Sequence, residues 1–474
     1  MLGPIVGGKK RDGETSFEVL RPFDGTAYEE VASAGAALID EAFALSEEAR
    51  GAIKAMTRKE RADVLSKVSA RLAEGRERIA AILVSEAGKT IREARTEVDR
   101  AANTFMFAAE EARRLGGEVI PFDAAANGVG RQGFSLKVPI GTIVAITPFN
   151  FPLNLAAHKI APAMAAGNPF ILKPASQTPV SGIELVRIIL ECGWPAGGAH
   201  VVPGRGGAIG DALVSDARGA MVTFTGSAEI GKRISSLAGY KRIAMELGSN
   251  SAVVVTDTAD LDFAAERIVR GGFALAGQVC ISVQRVIAHR AIFEDLVARC
   301  VKVALGMKVG DPMEETTDMG PMIDEKAAAA FHARVKEAAG LGGKIVTGGG
   351  LDGTLHEPTI ITSIPREAAL WREEAFGPVI VMNPYDTFEE AVEAVNDSKY
   401  GLQGGIFTAN VDEAFQAVNR FDVGGVIVND VPTFRVDHMP YGGVKESGIG
   451  REGLKYAIEE MTEEKLVCFN FWKP

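Results

Sequence analysis

Between Gly141 and Gly248 short β-rich runs alternate with helical patterns, and this alternation narrows the fold more than any other feature of the chain. IVAI at 143, FILK at 170, HVV at 200, MVTF at 221 and RIAME at 242 are strand candidates. SGIELVRIILECG, GAIGDALVSD and SAEIGKRISSLAG between them carry apolar residues at helical spacing. Parallel neighbours need a long crossover, and a helix supplies it, so the pattern predicts βαβ units around a mostly parallel sheet. A second such pattern starts at SAVVVT, after Asn250, with strand candidates at RVIAH, KIVTGG, PVIVM, GGIFT and GVIVN, and runs to roughly Glu452. The expected fold class is α/β with two parallel-type domains.

Ahead of these lie short edge-strand candidates in the first thirty-odd residues and three long helical patterns, Ala36 to Met56, Arg58 to Ala87 and Ile91 to Leu115. Gly116 to Lys137 turns polar and glycine-containing, as an extended arm reaching a neighbouring subunit would. The strand-like tail from Thr462 to Pro474 is a partner for it. The predicted boundaries are 1–116 with 138–248 for one domain, 249–452 for the other, and 117–137 with 453–474 for the arm and tail. An isolated arm leaves backbone groups unpaired, which predicts a homodimer or homotetramer.

Parallel sheets bind ligands at the carboxyl ends of their strands, so the residues just after each run matter most. After FILK come Pro174, Ala175 and Ser176; after MVTFT come Gly226 and Ser227 at a helix start, where free amides and the helix dipole favour an anion such as a pyrophosphate. Three GxGxxG strings, at 128, 348 and 448, do not join a strand to a helix and carry no weight as a dinucleotide fingerprint. In the second half, GQVCISVQR presents Cys280 on a glycine-flanked turn after a helix expected over Leu261 to Leu275. A lone cysteine is ordinarily a small buried hydrophobe; the company it keeps decides its role.

Composition excludes several classes. With 51 basic and 62 acidic residues the net charge is −11, so a nucleic-acid surface is not the main business of the chain. Cys192, Cys280, Cys300 and Cys468 are scattered without metal-ligand spacing, which argues against a metal site or disulfides and suits a reducing, cytoplasmic setting. No leader with a cleavage site opens the chain. The longest uncharged run, Val138 to Ala157, contains Pro139, Pro148, Pro152, Asn150 and Asn154, and reads as a buried strand with a sharp turn, not a membrane span.

The motifs TPFNFP (147–152), LKPASQTP (172–179), FTGS (224–227), MELG (245–248), GQVC (277–280), EEAFGPV (373–379) and MPYGGVKESGIGREG (439–453) stand in order along the chain. In content and spacing the sequence resembles the aldehyde dehydrogenase superfamily over essentially its whole length. The resemblance implies a Rossmann-like cofactor domain, a catalytic domain and a β oligomerisation arm. It further implies a small-molecule aldehyde as substrate and NAD or NADP as cofactor. Cys280 would attack the aldehyde as a thiolate, Asn150 would hold the oxyanion with the Cys280 backbone N–H, and Glu246 would activate the water that hydrolyses the thioester. Toward the cofactor the resemblance places Lys173 at the adenosine ribose, Gly226 and Ser227 near the pyrophosphate, and Glu374 at the nicotinamide ribose with Phe376 beside it. Thr147, Pro148, Phe149, Leu247 and Lys159 would belong to the same wall. Ser176 stands where many members carry a glutamate that repels a 2′-phosphate, which opens the way to NADP.

Positions that line the family's substrate funnel match Arg100, His158 and Arg435, with Ile281 beside the thiol. Three potential cations at one funnel predict an anionic aldehyde, since guanidinium groups bind phosphate, phosphonate, sulfonate and carboxylate well. The local alternatives are pairing of Arg100 with Glu97 and of Arg435 with Asp437, and a satisfied core histidine at 158. NDVPTFRVDHMPYGGVK resembles the branch with phosphonoacetaldehyde, lactaldehyde or glycolaldehyde, and non-phosphorylating glyceraldehyde-3-phosphate dehydrogenases. A small anionic aldehyde ranks first and a neutral hydroxyaldehyde second. Acylating relatives, which deliver to coenzyme A, usually lack the glutamate found at 246.

Overall fold

The computed structural model describes residues 1–471; the end of the expected tail, 472–474, lies outside them. Strands and helices alternate as the pattern predicts. In an eight-stranded sheet, Thr142–Ile146 has Phe170–Lys173 and then Ala199–Val201 on one side, and Gly219–Thr225 and then Arg242–Glu246 on the other, all parallel. The chain lays strands outward in one direction, returns, and continues in the other. That reversal opens a crevice beyond the ends of Thr142–Ile146 and Gly219–Thr225, where open α/β sheets bind ligands. TIVAI and FILK are buried throughout, as strands covered on both faces must be. Ile5–Val6 and Lys9–Lys10 close one edge in antiparallel fashion. Gly448–Ile449, from near the end of the chain, closes the other against Met245 and Glu246.

The second sheet has seven strands in the order Lys344–Thr347, Thr359–Thr362, Val379–Tyr385, Arg285–His289, Ala252–Val255, Gln403–Phe407, Gly425–Val428, parallel except for the first pair. Thr359–Thr362 was not anticipated from sequence, because two isoleucines between threonines are too short a run to show a period. The first sheet has an apolar cluster on each face, the second sheet has one core, and a fourth, small cluster of Leu275, Val279, Ile281, Leu402 and Tyr441 surrounds Cys280.

Two helical expectations change at their ends. The second long pattern is two helices, Arg58–Glu74 and Arg76–Ala87, divided at Gly75, a residue that costs about 1 kcal/mol relative to alanine inside a helix. The helix before the cysteine is Leu261–Phe273; beyond it Leu275 and Ala276 both have φ 50° and Gly277 has φ 70°, a left-handed run that swings the chain sharply toward Cys280. Ile91–Arg114 is unbroken and opens on a capping box between Thr90 and Glu93.

Arg131–Pro139 pairs antiparallel with Thr462–Asn470 from Thr462↔Pro139 to Asn470↔Arg131, and Val119–Ile120 adds a third strand. Val119, Phe134, Leu466 and Phe469 on this small sheet are exposed. Helix Leu454–Glu460, just before it, instead buries Leu454 and Ile458 in the core of the first half. Among the described residues no helix is long and apolar enough to cross a membrane.

Candidate active site

A cavity of 570 Å³ lies at the crevice, lined from one side by Pro148, Phe149, Asn150, Gly226, Ser227 and Leu247, and from the other by Cys280, Glu374 and Phe376. Both halves of the chain thus meet on one space. Ser227 caps helix Ala228–Leu237 by accepting from the Ile230 N–H, and the start of that helix faces the cavity. Phe149 and Phe376 meet edge to face at 5.7 Å. Glu374 accepts from the Ser249 N–H at 3.1 Å, and burial pushes its carboxyl up to about 7 against that hydrogen bond and Arg334. A β-carbon at residue 248 would stand 2.3 Å from the Glu374 carboxylate, so Gly248 is what lets Glu374 sit there.

Three of the expected cofactor residues lie beside this cavity and do not line it. The Thr147 N–H donates to the Lys173 carbonyl at 3.1 Å across neighbouring strands. Lys173 is buried, donates among the described residues only to the Pro174 carbonyl at 3.2 Å, and is pulled down to about 8 by desolvation. Ser176 is half-buried, and its neighbour Gln177 is the residue of that turn that reaches the cavity. Lys159 departs further from expectation. It is buried, donating to Glu452 at 3.0 Å and to Thr223 at 3.3 Å, and it belongs to an ion network, not to the cavity wall.

At the thiol, Cys280 Sγ lies 3.1 Å from the Tyr441 hydroxyl. Burial pushes the thiol up to about 11, with Tyr441 and Arg435 working the other way. Ile281 is buried beside it, and its carbonyl accepts from Thr433 at 3.1 Å. The Asn150 amide donates to the Gln278 carbonyl at 2.9 Å, which holds it next to the cysteine turn and leaves its second N–H for another acceptor. A β-carbon at Gly277 would stand 2.1 Å from the Gly377 carbonyl, so this turn admits only glycine. Glu246, at the end of its strand, is buried with Oε2 unpartnered among the described residues. Burial, then the charge of Glu452, raises its pKa well above the usual carboxylate range, and Arg435 and Lys159 offset part of this. A carboxylate whose proton affinity is raised in this way is a stronger base than one in water.

The structure brings Arg100, His158 and Arg435 together and also gives each a carboxylate. Asp437 accepts from Arg100 at 2.8 Å, from Asn154 at 3.1 Å and lies 3.0 Å from His158. Arg435 pairs with Glu452 at 2.8 Å, and Glu452 also holds Lys159. Both local pairings considered from sequence, Arg100 with Glu97 and Arg435 with Asp437, are replaced by partners distant along the chain. His158 is not the cation expected: burial first, and then Arg435, lower its pKa against the pull of Asp437 and leave it neutral at neutral pH. Despite their burial both carboxyls stay ionised: Asp437 through the hydrogen bonds of His158 and Arg100 and the Arg100 charge, and Glu452 through the charges of Lys159 and Arg435. The Arg435 side chain is 7% exposed, its guanidinium 3.7 Å above the Tyr441 ring, with Nε unpartnered among the described residues.

Sequence reasoning missed Tyr441, Glu452, Gln278 and Arg334, although the first three lie inside quoted motifs. It also missed a stripe on helix Ile91–Arg114. Glu93 accepts from the Leu275 N–H at 2.7 Å, Glu97 accepts from the Leu153 and Asn154 N–H groups at 3.0 Å each, and Arg100 holds Asp437. Their spacing puts all three on one helix face, a signal present in the sequence but not separable from a solvated charged face. Lys89 backs the stripe, 3.1 Å from Glu97 and 3.6 Å over the Phe151 ring. Among the described residues no cluster suited to a metal ion occurs.

The model of the aldehyde dehydrogenase family matches residues 9–467. A 3-sulfolactaldehyde dehydrogenase of Priestia megaterium is 44% identical over 469 residues, 99% of this chain and 98% of that protein. Aldehyde dehydrogenase 21 of Physcomitrella patens, solved in complex with its reaction product succinate, superposes with a TM-score of 0.95 at 42% identity, covering 98% and 97% of the two chains. The glyceraldehyde-3-phosphate dehydrogenase GapN of Methanocaldococcus jannaschii, complexed with NADP, gives 0.93 at 37% identity over 96% and 99%.

Proposed function

The chain belongs to the aldehyde dehydrogenase family, and from that premise we propose that it oxidises a small anionic aldehyde to the carboxylic acid, with NAD or NADP, through a thioester on Cys280. The cavity suits such a cofactor. Buried hydroxyls of Thr147 and Thr225 have no partner among the described residues, Lys173 spends its ammonium only on a neighbouring carbonyl, and the amides at the start of helix Ala228–Leu237 point to an anion. Gly226 and Ser227 would hold the diphosphate, Lys173 the adenosine ribose and Glu374 the nicotinamide ribose. Bound there, the cofactor supplies a hydride acceptor.

The chain's own residues do the rest. The Cys280 thiolate forms a bond to the aldehyde carbon, and the carbonyl oxygen takes up the displaced pair beside the Asn150 amide; one such donor is worth about 2.7 to 4 kcal/mol of barrier. After oxidation, Glu246 takes a proton from the water that attacks the thioester, and the sulfur leaves with its pair. Its presence favours free acid over a coenzyme A ester as product. Cys280→Ala is expected to abolish oxidation, whereas Glu246→Gln should give one burst of reduced cofactor per site and then stall. Steady turnover by Glu246→Gln would remove Glu246 from the mechanism.

The observation that carries the anionic reading is Arg435, a guanidinium near the thiol on a side chain only 7% exposed, with Nε unpartnered among the described residues. The relatives support it, since sulfolactaldehyde, succinate and glyceraldehyde 3-phosphate each carry an anionic group. Phosphonoacetaldehyde falls in the same chemical class. The pairing of Arg100 with Asp437 and of Arg435 with Glu452 favours a second reading, a neutral hydroxyaldehyde such as lactaldehyde or glycolaldehyde. Arg435→Ala should raise KM for a sulfonate, phosphate or carboxylate aldehyde by at least about tenfold relative to a neutral aldehyde of equal length. Because Arg435 also supports Glu452 and Tyr441, the neutral substrate is the internal standard. Equal losses for both would put the hydroxyaldehydes first.

For the cofactor, Ser176 puts no carboxylate against a 2′-phosphate, so NADP should support turnover. Ser176→Glu is expected to penalise NADP more than NAD in kcat/KM. An inactive wild type with NADP would shift the preference to another residue.

The exposed apolar residues of the arm sheet, Val119, Phe134, Leu466 and Phe469, support assembly into a homodimer or homotetramer. Light scattering at micromolar concentration should return a multiple of the 50.1 kDa chain mass; an active monomer would contradict it. The four cysteines, all free, accord with a reducing, cytoplasmic setting.

A further inference from the structure

We propose that the Tyr441 hydroxyl is a catalytic hydrogen-bond donor to the Cys280 sulfur, stabilising the thiolate both before it attacks and when it leaves. This rests on the reading of Cys280 as the nucleophile. Tyr441 Oη lies 3.1 Å from Sγ, and Tyr441 is only 2% exposed. Its ring is held from two directions. The backbone of Tyr441 exchanges hydrogen bonds with Glu452, at 3.0 and 2.6 Å, and the carboxylate of Glu452 positions Arg435 over the ring face. Leu275, Ile281 and Leu402 enclose the pair with apolar surface, where an ionised sulfur has few other donors and each one counts for more than in water.

The step balances without a further reactant. The thiol proton leaves to water in the cavity, and the resulting thiolate accepts the Tyr441 O–H. On attack, the sulfur pair becomes the C–S bond, the carbonyl π pair moves to oxygen, and Tyr441 keeps its proton. On hydrolysis the C–S pair returns to sulfur, which re-forms as a thiolate under the same O–H. Tyr441 is therefore a donor throughout and never an acid. Among influences that favour the thiolate, this hydrogen bond ranks ahead of the Arg435 charge.

The test is alkylation of Cys280 in the full-length enzyme by iodoacetamide, a neutral probe to which Arg435 is indifferent, with the labelled peptide identified by mass spectrometry. In Tyr441→Phe, which keeps the ring beneath Arg435, the thiolate midpoint of the rate–pH profile should rise by about one unit, so that alkylation at pH below both midpoints slows by about tenfold. A role limited to packing would leave that midpoint unmoved. Replacing Tyr441 by 3,5-difluorotyrosine, a stronger donor of the same shape, should move the midpoint down, which keeps the test informative should the phenylalanine variant fold poorly. Profiles that coincide with wild type, or a shift in the same direction for both variants, would overturn the proposal. Retained turnover after complete alkylation of Cys280 would instead remove the cysteine itself from the mechanism, a distinct result.

Discussion

Three side chains on one face of helix Ile91–Arg114 hold the loops that carry Cys280, Asn150 and Arg435, on which the proposed chemistry depends. Glu93 takes a backbone N–H from the left-handed run before Cys280, Glu97 takes two from the turn after Asn150, and Arg100 grips Asp437 in the segment that carries Arg435 and Tyr441. Loops are the soft parts of a fold, yet attack on a carbonyl tolerates little misplacement of nucleophile or oxyanion donor. A single rigid rod, with side chains about a turn apart, gives all three loops a common reference. The rod is anchored at its start by the Thr90–Glu93 capping box, so the carboxylate that ends the backbone of the helix also begins the stripe.

Around that frame some buried charges are matched and Glu246 is not. Asp437 and Glu452 each collect several cations or donors, and so stay ionised although buried. Glu246 is buried, has no such partner on Oε2 among the described residues and lies near the charge of Glu452, which is why its proton affinity rises. Environment alone sets these two buried glutamates apart: one is held ionised among cations, the other has its proton affinity raised, as the proposed base requires. Arg435 links the two regions, paired with Glu452 on one side and stacked on Tyr441 on the other.

Much of this was legible in the sequence. The order of short strands and helices specified two parallel sheets, because a parallel pair leaves no other economical connection, and the strand ends pointed to Asn150, Glu246, Gly226 and Ser227. What sequence could not reveal was pairing across the fold. Arg100 and Asp437 are 337 residues apart, and nothing local distinguishes that bond from one with Glu97 a turn away. His158 shows the same limit: its charge depends on burial and on Arg435, neither visible along the chain. Tyr441 sits in the MPYGGVKESGIGREG motif, but only the fold sets its hydroxyl 3.1 Å from the Cys280 sulfur.

The strand Gly448–Ile449 has a bearing on how the protein is made. It closes the sheet edge beside Glu246, while Leu454 and Ile458 fill the core of the first half. Synthesis proceeds from the amino end, and domains tend to fold as they emerge; here the first sheet waits for residues encoded after the whole second one. Glu246 is therefore enclosed only once those residues have emerged, so a ribosome that stops before them releases a product whose first sheet still has an open edge beside Glu246.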